Sequence, residues 1–441
     1  MNKPKCLRLV WVAFVAAALL LGATTIWAAT WPGALPAQNL SGGGDIRDRS
    51  DIALVGDRPA VVWAGLTQRG IYFTQYQTNG SWSVPILHTP ALRLAAWSPA
   101  LAFHSTQPIL AWVEGDNPDQ QTLTQTIVQK DPSTGNTQVI MATLFGRPAP
   151  DLVIGPDRMH MVFAASPKGG AEYSRGNLYY TYRWLTQTTW AQPTAVVTSS
   201  QVLAIGNPGG IWYPRIALSP SGAGLQIVWE QEQQEGLLQI DYSIWAISGT
   251  ATPTGVVWGS PGRVSPITQH YATRPSVIVG QSGLTHVVWT ELVGAVAIAS
   301  DQYINYRTLT GGEAIRLNPQ PLRSTTKSPS WAIASLAIAD QTLCVGWHGY
   351  LASTGNLEEI YLQCSPDEGL LWNPAVNASD TPSSLSIRPS LALDGAKVAH
   401  VAWAEYKLIG DSYSPEGIFY RSGRTNLSGV YLPLVARNYR R

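Results

Sequence analysis

The sequence predicts an all-β protein, specifically a seven-bladed β-propeller of four-stranded antiparallel blades. Three observations support this prediction: a strand pattern recurs seven times, an aromatic residue recurs with it, and the composition favours strands joined by turns. The 441 residues include 18 Trp and 18 Tyr, which favour strands, and 40 Gly and 31 Pro, which favour turns. Stretches rich in Ala, Glu, Lys and Leu, which favour helices, are missing after the first thirty residues.

Residues 1–28 have the order typical of a secretory signal peptide, in which a basic region precedes an apolar one. We predict cleavage after Ala28. The alternative is an uncleaved membrane anchor, because the uncharged stretch Leu9–Ala29 is 21 residues long, about enough to span a bilayer. In both cases we expect the rest of the chain to be secreted or at the cell surface. An uncleaved N-terminal segment would be its one contact with the membrane.

The repeated unit begins with a short apolar strand and a turn, continues with a strand that ends near an aromatic residue, and then has a strand containing Tyr. Self-similarity at a steady period is the signature of repeat architectures, so it decides the predicted fold. In the clearest pair of copies, the first comprises Arg274–Val279, His286–Glu291 and Ile304–Arg307, and the second comprises Arg388–Leu393, His400–Glu405 and Ile418–Arg421.

The aromatic anchor of the second strand recurs every 49 to 66 residues, a longer period than the ~40–45 residues of a WD40 blade. In four units a Trp opens a fourth strand, and four strands per unit predict a propeller, whose sheets leave only short protected edges. The anchors are Trp63, Trp112, Phe163, Trp229, Trp289, Trp347 and Trp403, and the fourth-strand residues are Trp82, Trp190, Trp258 and Trp372.

The last repeat has no clear fourth strand after Tyr420, whereas Trp31–Pro36 resembles a fourth strand and stands before the first repeat. We therefore predict that the N-terminal segment supplies the outer strand of blade seven, which removes two open sheet edges. The propeller is expected to span residues 29–425. Residues 426–441 are expected to form a C-terminal tail, which is either a sorting tag or a last packed strand.

Two cysteines remain after the predicted signal peptide, which contains Cys6. If Trp347 faces Tyr361 in an antiparallel hairpin, Cys344 faces Cys364, and the two can form a disulfide in an exported protein. The alternative is two separate buried thiols. No second Cys or His stands at metal-ligand spacing, so no metal site is predicted.

The segment Ser365–Trp372 has the pattern S-x-D-x-G-x-x-W and resembles the Asp-box of bacterial neuraminidase repeats. Together with the strand pattern, the resemblance covers most of residues 31–425 and implies a sialidase-like β-propeller, although sialidases usually have six blades. Asp-boxes of that family lie on the face opposite the active site. The resemblance therefore implies structural roles for Ser365, Asp367, Gly369 and Trp372.

The same resemblance implies a catalytic set of three arginines, a Tyr–Glu pair and an Asp acid, but the sequence does not place this set. The Phe/Tyr-Arg-Ile-Pro motif of the family is absent, since Tyr213–Ile216 has these residues in another order. Third-strand tyrosines recur in six blades, so we expect them to pack rather than react, and the catalytic residues stay unknown. These tyrosines are Tyr72, Tyr180, Tyr242, Tyr306, Tyr361 and Tyr420.

Propeller topology brings the starts of first strands and the ends of second strands to one face. Arginines near the former and glutamates near the latter could bind a polyhydroxylated or carboxylate ligand, or could pair across blades and seal the ring. The candidates are Arg215, Arg274, Arg388, Glu114, Glu230, Glu291 and Glu405. Variable loops on this face, where propellers carry function, contain Glu172, Tyr173 and Asp301.

Charge and motifs exclude several classes of function. A net charge of +1 with 13% charged residues argues against a nucleic-acid partner, and no phosphate- or nucleotide-binding motif points to a cofactor. The sequence favours a monomeric, non-catalytic propeller that binds a glycan or an extracellular protein. The alternative is an exo-acting, sialidase-like glycoside hydrolase with Arg215, Arg274 and Arg388 as a carboxylate clamp, which converging arginines beside a buried Tyr–Glu pair would favour. A structural envelope protein is a third possibility.

Overall fold

The computed structural model describes residues 31–425, except 47–48, 89–94, 116–124, 145–147, 167–175, 199–206, 236–238, 268–270, 295–300, 324–330, 351–356 and 411. The described residues form seven antiparallel sheets, which are the blades of the predicted propeller. The first strand of each blade contacts that of the next, and the first strand of blade seven contacts that of blade one. The sheets therefore form a closed ring around a central channel.

Blades one to three have four strands each. Blade one comprises β2 (Ser50–Val55), β3 (Arg58–Ala64), β4 (Ile71–Gln75) and β5 (Ile86–His88). Blade two comprises β6 (Ala95–His104), β7 (Gln107–Gly115), β8 (Gln125–Asp131) and β9 (Asn136–Leu144). Blade three comprises β10 (Asp151–Ile154), β11 (Arg158–Ala165), β12 (Asn177–Trp184) and β13 (Thr194–Val197).

Blades four and five each carry an additional short strand on the third strand. Blade four comprises β14 (Asn207–Leu218), β15 (Gly224–Glu235), β16 (Gln239–Thr252), β17 (Gly255–Trp258) and β18 (Gly262–Arg263). Blade five comprises β19 (Ala272–Val279), β20 (Thr285–Val293), β21 (Asp301–Thr308), β22 (Gly311–Arg316) and β23 (Leu322–Arg323).

Blade six is regular, and blade seven combines the two ends of the described chain. Blade six comprises β24 (Ala334–Ala339), β25 (Thr342–Gly349), β26 (Glu359–Ser365) and β27 (Val376–Asn377). Blade seven comprises β28 (Ser384–Leu393), β29 (Val398–Ile409), β30 (Ser412–Arg424) and β1 (Gln38–Asn39).

The predicted anchors form the centre of each blade. Each lies on the second strand, and each is at most 1% exposed to solvent: Trp63, Trp112, Phe163, Trp229, Trp289, Trp347 and Trp403. Burial of large aromatic side chains is the main source of stability in such a core. The regular spacing seen in the sequence therefore reflects one buried aromatic residue per sheet.

The N-terminal segment closes the ring, as predicted, but through a different paired strand. The ladder joins Gln38 to Tyr420 and Asn39 to Phe419, so the strand is Gln38–Asn39 and not Trp31–Pro36. Pro32 and Pro36 lack the N–H group that a ladder needs, which explains the shift. Trp31 nevertheless packs against blades six and seven, with its indole N–H donating to the Arg424 carbonyl at 3.1 Å.

Three blade junctions within the described residues share one contact. A histidine Nδ1 lies 2.7–2.8 Å from a tyrosine hydroxyl in the pairs His160–Tyr180, His286–Tyr306 and His400–Tyr420. Each tyrosine ring then packs edge-on against a tryptophan of the next blade, with centroids 4.8–5.1 Å apart, in the pairs Tyr180–Trp258, Tyr306–Trp372 and Tyr420–Trp82. These contacts seal blade three to four, five to six and seven to one.

Cys344 and Cys364 are joined by a disulfide within blade six, where they lie opposite each other on β25 and β26. Trp347 lies opposite Tyr361 in the same ladder, which is the register from which the pairing was inferred. The disulfide therefore links two adjacent strands of one blade and does not cross a junction between blades.

The segment Ser365–Trp372 forms a turn between the third and fourth strands of blade six. Ser365 Oγ donates to Asp367 Oδ1 at 2.8 Å, and the Gly369 N–H donates to Ser365 Oγ at 2.7 Å. Gly369 has a φ of 92° and lies against the Tyr306 side chain, so a Cβ there would collide with the tyrosine hydroxyl. The turn thus positions Trp372 on Tyr306 of the preceding blade.

Among the described residues, no group of three His, Cys, Asp or Glu side chains is placed to hold a metal ion. A search of the same part of the chain finds no helix with the length and apolar character needed to cross a membrane.

The closure contact gives a direct test of the ring. Replacement of Trp31, which is 2% exposed, by Ala is expected to lower the free energy of unfolding by about 3–5 kcal/mol, because it leaves a cavity between blades six and seven. Urea unfolding followed by far-ultraviolet circular dichroism measures this change. Leu35→Ala is the control, since Leu35 is 58% exposed and its loss should cost under about 0.5 kcal/mol. Equal stability of the two variants would contradict closure through Trp31.

Candidate functional site

The candidate site lies where the second strands end and the first strands begin, at one end of the central channel. Because neighbouring strands of each blade are antiparallel, these two sets of ends meet on the same face. We call this end of the channel the mouth. The third strands also begin there, so three strands of every blade can place side chains around the opening.

A β-bulge interrupts the first strand near the mouth in blades two, four, five and seven, at a non-glycine residue that has positive φ and precedes Pro. Positive φ is strained for residues with a Cβ, and such strain clusters at functional sites. These residues are Ser98 (φ 49°), Tyr213 (φ 47°), Arg274 (φ 56°) and Arg388 (φ 58°).

The structure separates Arg215 from the other two predicted arginines. Arg215 pairs with Val228 in the ladder, as Ser276 pairs with Val288 one blade further on, so it lies two positions deeper in the channel than Arg274. Its Nη1 atom lies 3.6 Å from Asp151 Oδ1. The three arginines therefore do not share one repeat position, because Tyr213 occupies the bulge position in blade four, although Arg215 and Arg388 both line the channel. The three-arginine clamp stays a prediction.

Three of the predicted glutamates share a position two residues after the anchor and hold buried groups in place. Glu114 Oε1 accepts the Trp112 indole N–H at 2.9 Å, and Glu405 Oε2 accepts that of Trp403 at 2.5 Å. Glu291 Oε2 instead accepts from Arg316 Nη2 at 3.1 Å and from Asn305. These contacts lie within single blades, so they orient side chains and do not seal the ring.

Glu230 differs from the other glutamates because it directly follows its anchor, and side chains alternate along a strand. Its Oε2 atom accepts the backbone N–H of Arg274 in the next blade at 3.0 Å. Two blades further round the ring, His348 Nδ1 accepts the backbone N–H of Arg388 at 3.2 Å. The backbone N–H groups of the two arginines therefore join neighbouring blades.

The Arg274 guanidinium is held by an aromatic ring. It lies over Tyr213, 3.7 Å from the ring centroid, which is a favourable cation–π distance. Its Nε atom is buried without a hydrogen-bond partner among the described residues. Arg274 therefore combines a fixed position with unused donor capacity, the combination that a ligand carboxylate can exploit.

His348 lies in blade six, between the blades that carry Arg274 and Arg388. Burial, reinforced by the charges of Arg388 and Arg274, lowers the pKa of His348 to about 3, so the imidazole is neutral at neutral pH. Each guanidinium charge is therefore within electrostatic reach of this imidazole.

Tyr242 corrects the expectation of a packing tyrosine. Tyr180, Tyr306 and Tyr420 lie opposite the residue before the anchor, and Tyr72 and Tyr361 lie opposite the anchor itself. Tyr242 instead lies opposite Glu232, three residues beyond Trp229 and closer to the mouth. The signal in the sequence was Trp245, which lies opposite Trp229 and marks the true repeat register of this strand.

Tyr242 and Glu232 form a half-buried cross-strand pair. Burial raises the pKa of Tyr242 above its usual value, and the charges of Glu232 and Glu230 raise it further. Burial also raises the pKa of Glu232, although the Trp212 indole N–H, which donates to it at 2.9 Å, acts in the opposite direction. Sequence reasoning missed Glu232 because it has no counterpart in the other repeats.

Two further aromatic rings border this pair. The Tyr271 ring lies 6.1 Å from the Tyr242 ring, and the Trp331 ring lies 6.5 Å from it in an edge-on arrangement. Both side chains are partly exposed at the mouth. They offer apolar surface beside groups that can form hydrogen bonds, as is typical of ligand sites.

The channel below the mouth is narrow, about 230 Å³, and is lined by the first strands of all seven blades. Asp51 Oδ2 accepts the Leu101 N–H, and Asp151 Oδ2 accepts the Ile216 N–H, each at 2.8 Å from the next blade. Burial raises the pKa of Asp151 to about 7, and the charge of Asp51 acts in the same direction. These carboxyl groups join blades, and their location below the mouth separates them from the Tyr–Glu pair.

Some predicted features lie outside the described residues, namely the signal peptide, the C-terminal tail, Glu172 and Tyr173. Asp301 is described and begins β21, where it lies opposite Val293.

No protein-family model and no curated protein matches the sequence. The fold is similar to those of solved carbohydrate-active enzymes. An α-L-arabinanase from Penicillium chrysogenum, solved with arabinobiose, has a TM-score of 0.50 at 10% identity over 90% of this chain and 100% of that one. The polysaccharide lyase Uly1 has a TM-score of 0.53 at 10% identity over 88% and 91%. Trypanosoma rangeli sialidase, solved with sialic acid, has a TM-score of 0.46 at 8% identity over 86% and 59%.

These comparisons show the propeller fold and overturn the preference for a non-catalytic binding protein, since the arabinanase and the polysaccharide lyase are enzymes. The sequence pointed away from an enzyme because it does not place the catalytic set of the family. The structure adds one candidate member of such a set, since Tyr242 lies outside the register of the packing tyrosines.

The raised pKa of Asp151 in the channel predicts that the stability of the protein depends on pH. Asp151 binds its proton more tightly in the folded protein, with a pKa of about 7, than in the unfolded chain, where the usual value is about 3.9. Stability should therefore fall as pH rises from about 4 to about 7, by at most about 1.4 kcal/mol per pH unit, and should then level off. Asp151→Asn, which retains an acceptor for the Ile216 N–H, is expected to remove this decline.

Urea unfolding at a series of pH values between about 4 and 8 measures this effect. Asp340→Asn, on an exposed turn, is the matched control and should keep the slope of the unchanged protein. The same slope in Asp151→Asn would show that another group causes the decline.

Proposed function

We propose that this protein is a glycoside hydrolase that acts on acidic glycans at the mouth of the propeller. The observation that carries the proposal is the placement of Arg274 and Arg388 at bulges of the mouth, on the blades either side of blade six, with the half-buried cross-strand pair Tyr242–Glu232 in blade four. Glu230 connects the two parts, since it accepts the Arg274 N–H and its charge acts on Tyr242.

Recognition of an acidic sugar is the task we assign to the arginines. Arg274 is fixed on Tyr213, so its guanidinium group can bind a sugar carboxylate without a large loss of side-chain freedom. His348 stays neutral, and Glu358 Oε2 lies 3.8 Å from its Nε2 atom.

The chemical step is assigned to the Tyr–Glu pair. A phenol is a weak nucleophile until a base accepts its proton, and Glu232 lies opposite Tyr242 with a pKa raised by burial, which makes it a stronger base. In this scheme the Tyr242 oxygen bonds to the anomeric carbon as the glycosidic C–O bond breaks, and Glu232 accepts the phenolic proton. The departing alcohol takes a proton from solvent. Water then adds to the anomeric carbon as the bond to Tyr242 breaks, Glu232 returns the proton to the phenol oxygen, and the free sugar leaves. Tyr271 and Trp331 would support the ring of the sugar.

We propose that the protein acts outside the cell. Disulfides persist in oxidising compartments, and Cys344 and Cys364 form one in blade six. This agrees with the predicted signal peptide at residues 1–28. The proposed partner is accordingly an extracellular acidic glycan.

The first experiment measures hydrolysis of fluorogenic sialosides, glucuronides and arabinofuranosides by the protein. We expect release from at least one acidic substrate and a preference for it over the neutral arabinofuranoside. Acidic polysaccharides are tested in parallel for products with a new carbon–carbon double bond, detected by their ultraviolet absorption. Unsaturated products without hydrolysis would overturn the hydrolase in favour of a lyase.

Arg274→Ala is expected to lower kcat/KM for the acidic substrate by about 100-fold or more, mainly through KM, because a charged hydrogen-bond partner is lost. Arg58→Ala is the matched control. It makes the same change of charge at the start of β3, on the opposite face, and should leave the kinetic constants unchanged. Equal losses in the two variants would show that Arg274 acts through stability or net charge.

Tyr242→Phe is expected to lower kcat by about 100-fold or more while KM changes little, because it removes only the proposed nucleophilic oxygen. Tyr76→Phe removes a tyrosine hydroxyl just after β4, on the face opposite the mouth, and serves as the control, with kcat expected within about threefold of the unchanged protein. Full activity of Tyr242→Phe would exclude the assigned chemical role and leave the role of the arginines open.

A further inference from the structure

The junction between blades two and three departs from the repeat. At three other junctions a fourth-strand tryptophan packs on a tyrosine of the preceding blade. In blade two the residue at the tyrosine register, opposite Ala111, is Gln129. The fourth-strand residue of blade three, Trp190, therefore meets no tyrosine, and its indole N–H donates to Gln129 Oε1 at 3.2 Å.

A groove of about 480 Å³ lies along this junction. One wall is β9 of blade two, and the other is formed by residues 188–193, which precede β13 of blade three. The Gln138 side-chain N–H donates to the Thr188 carbonyl, so the two walls are tied together. The volume lies within the range of small-molecule sites, about 300–1,000 Å³.

The lining of the groove suits an uncharged ligand with many hydroxyl groups. Side chains of Asn136, Gln138, Thr188 and Gln192 supply both donors and acceptors. Trp190 and the 49% exposed Val139 supply apolar surface for the C–H face of a sugar ring.

The groove does not suit acidic glycans, which are the ligand class proposed for the mouth. No residue that lines the groove carries a charged side chain. The nearest guanidinium to Trp190, that of Arg183, lies 5.7 Å from the indole centroid, but Arg183 is buried and does not line the groove. An acidic glycan would therefore lose hydration here without gaining a counter-ion.

We propose that this groove is a second carbohydrate site, which binds neutral glycans independently of the mouth. It lies at the other end of the blades, because the connection between third and fourth strands leaves a blade on the face opposite the mouth. Since none of its residues belongs to the mouth, the proposal does not depend on the proposed hydrolase activity.

The test is affinity gel electrophoresis of the full chain in native gels that contain dextran, arabinan, galactan or, as an acidic comparison, polygalacturonan. We expect at least one neutral polysaccharide to retard the protein. Because no ion pair is involved, high salt should not abolish the retardation. The dissociation constant follows from the dependence of mobility on polysaccharide concentration.

Trp190→Ala is expected to raise this dissociation constant about tenfold or more. Trp258→Ala is the matched control, since it removes the equivalent tryptophan at a junction where Tyr180 fills the space. Gln192→Ala, an exposed change on the wall of the groove, should also weaken binding while the unfolding temperature stays the same. Arg274→Ala should bind as the unchanged protein does.

Three results would overturn the proposal: no retardation by any neutral polysaccharide, retardation by polygalacturonan alone, or retardation that Trp190→Ala and Gln192→Ala leave intact. Equal weakening by Trp258→Ala would overturn it as well, since the loss would then follow from stability. Neutral-glycan binding without hydrolysis would support this site while removing the function proposed for the mouth.

Discussion

Closure of the ring is the constraint on which the rest of the structure depends. Each blade buries its faces against two neighbours, so an open ring would leave apolar surface and unpaired strand edges in water. The N-terminal segment meets this requirement through the Gln38–Asn39 ladder and the burial of Trp31. The entropy of joining such distant segments grows only slowly with the intervening length, so burial of one large side chain offsets much of it.

At the bulges of the mouth, the backbone and the side chain of each arginine have separate roles. A positive φ is strained, yet it turns the N–H groups of Arg274 and Arg388 towards acceptors in the preceding blades, Glu230 and His348. Because the backbone joins the blades, the Arg274 guanidinium is left to stack on Tyr213. The strain therefore accompanies two gains, a sealed junction and a side chain that is directed towards the mouth.

Both proposed sites occur where a repeat position changes its residue. Tyr242 and Glu232 lie beyond the register that the other third strands share, and Gln129 replaces a tyrosine that elsewhere fills a junction. In a repeat protein the common residues serve packing, so departures from the pattern mark positions released from that role. The mouth carries two arginines and buried carboxyl groups, whereas the groove lining has no charge, and the two ends of the blades therefore suit different glycans.

The sequence by itself determined the class of fold, the number of blades, the anchors and the opposition of Cys344 and Cys364, because these follow from local periodicity and antiparallel pairing. It placed Arg274 and Arg388 near one face for the same reason. The tertiary structure alone decided that Arg215 lies deeper in the channel, that Gln38–Asn39 is the closing strand, and that Tyr242 faces Glu232. Bulges and proline residues shift strand register by one or two positions, and a shift of that size redirects side chains without leaving a trace in the spacing of the anchors.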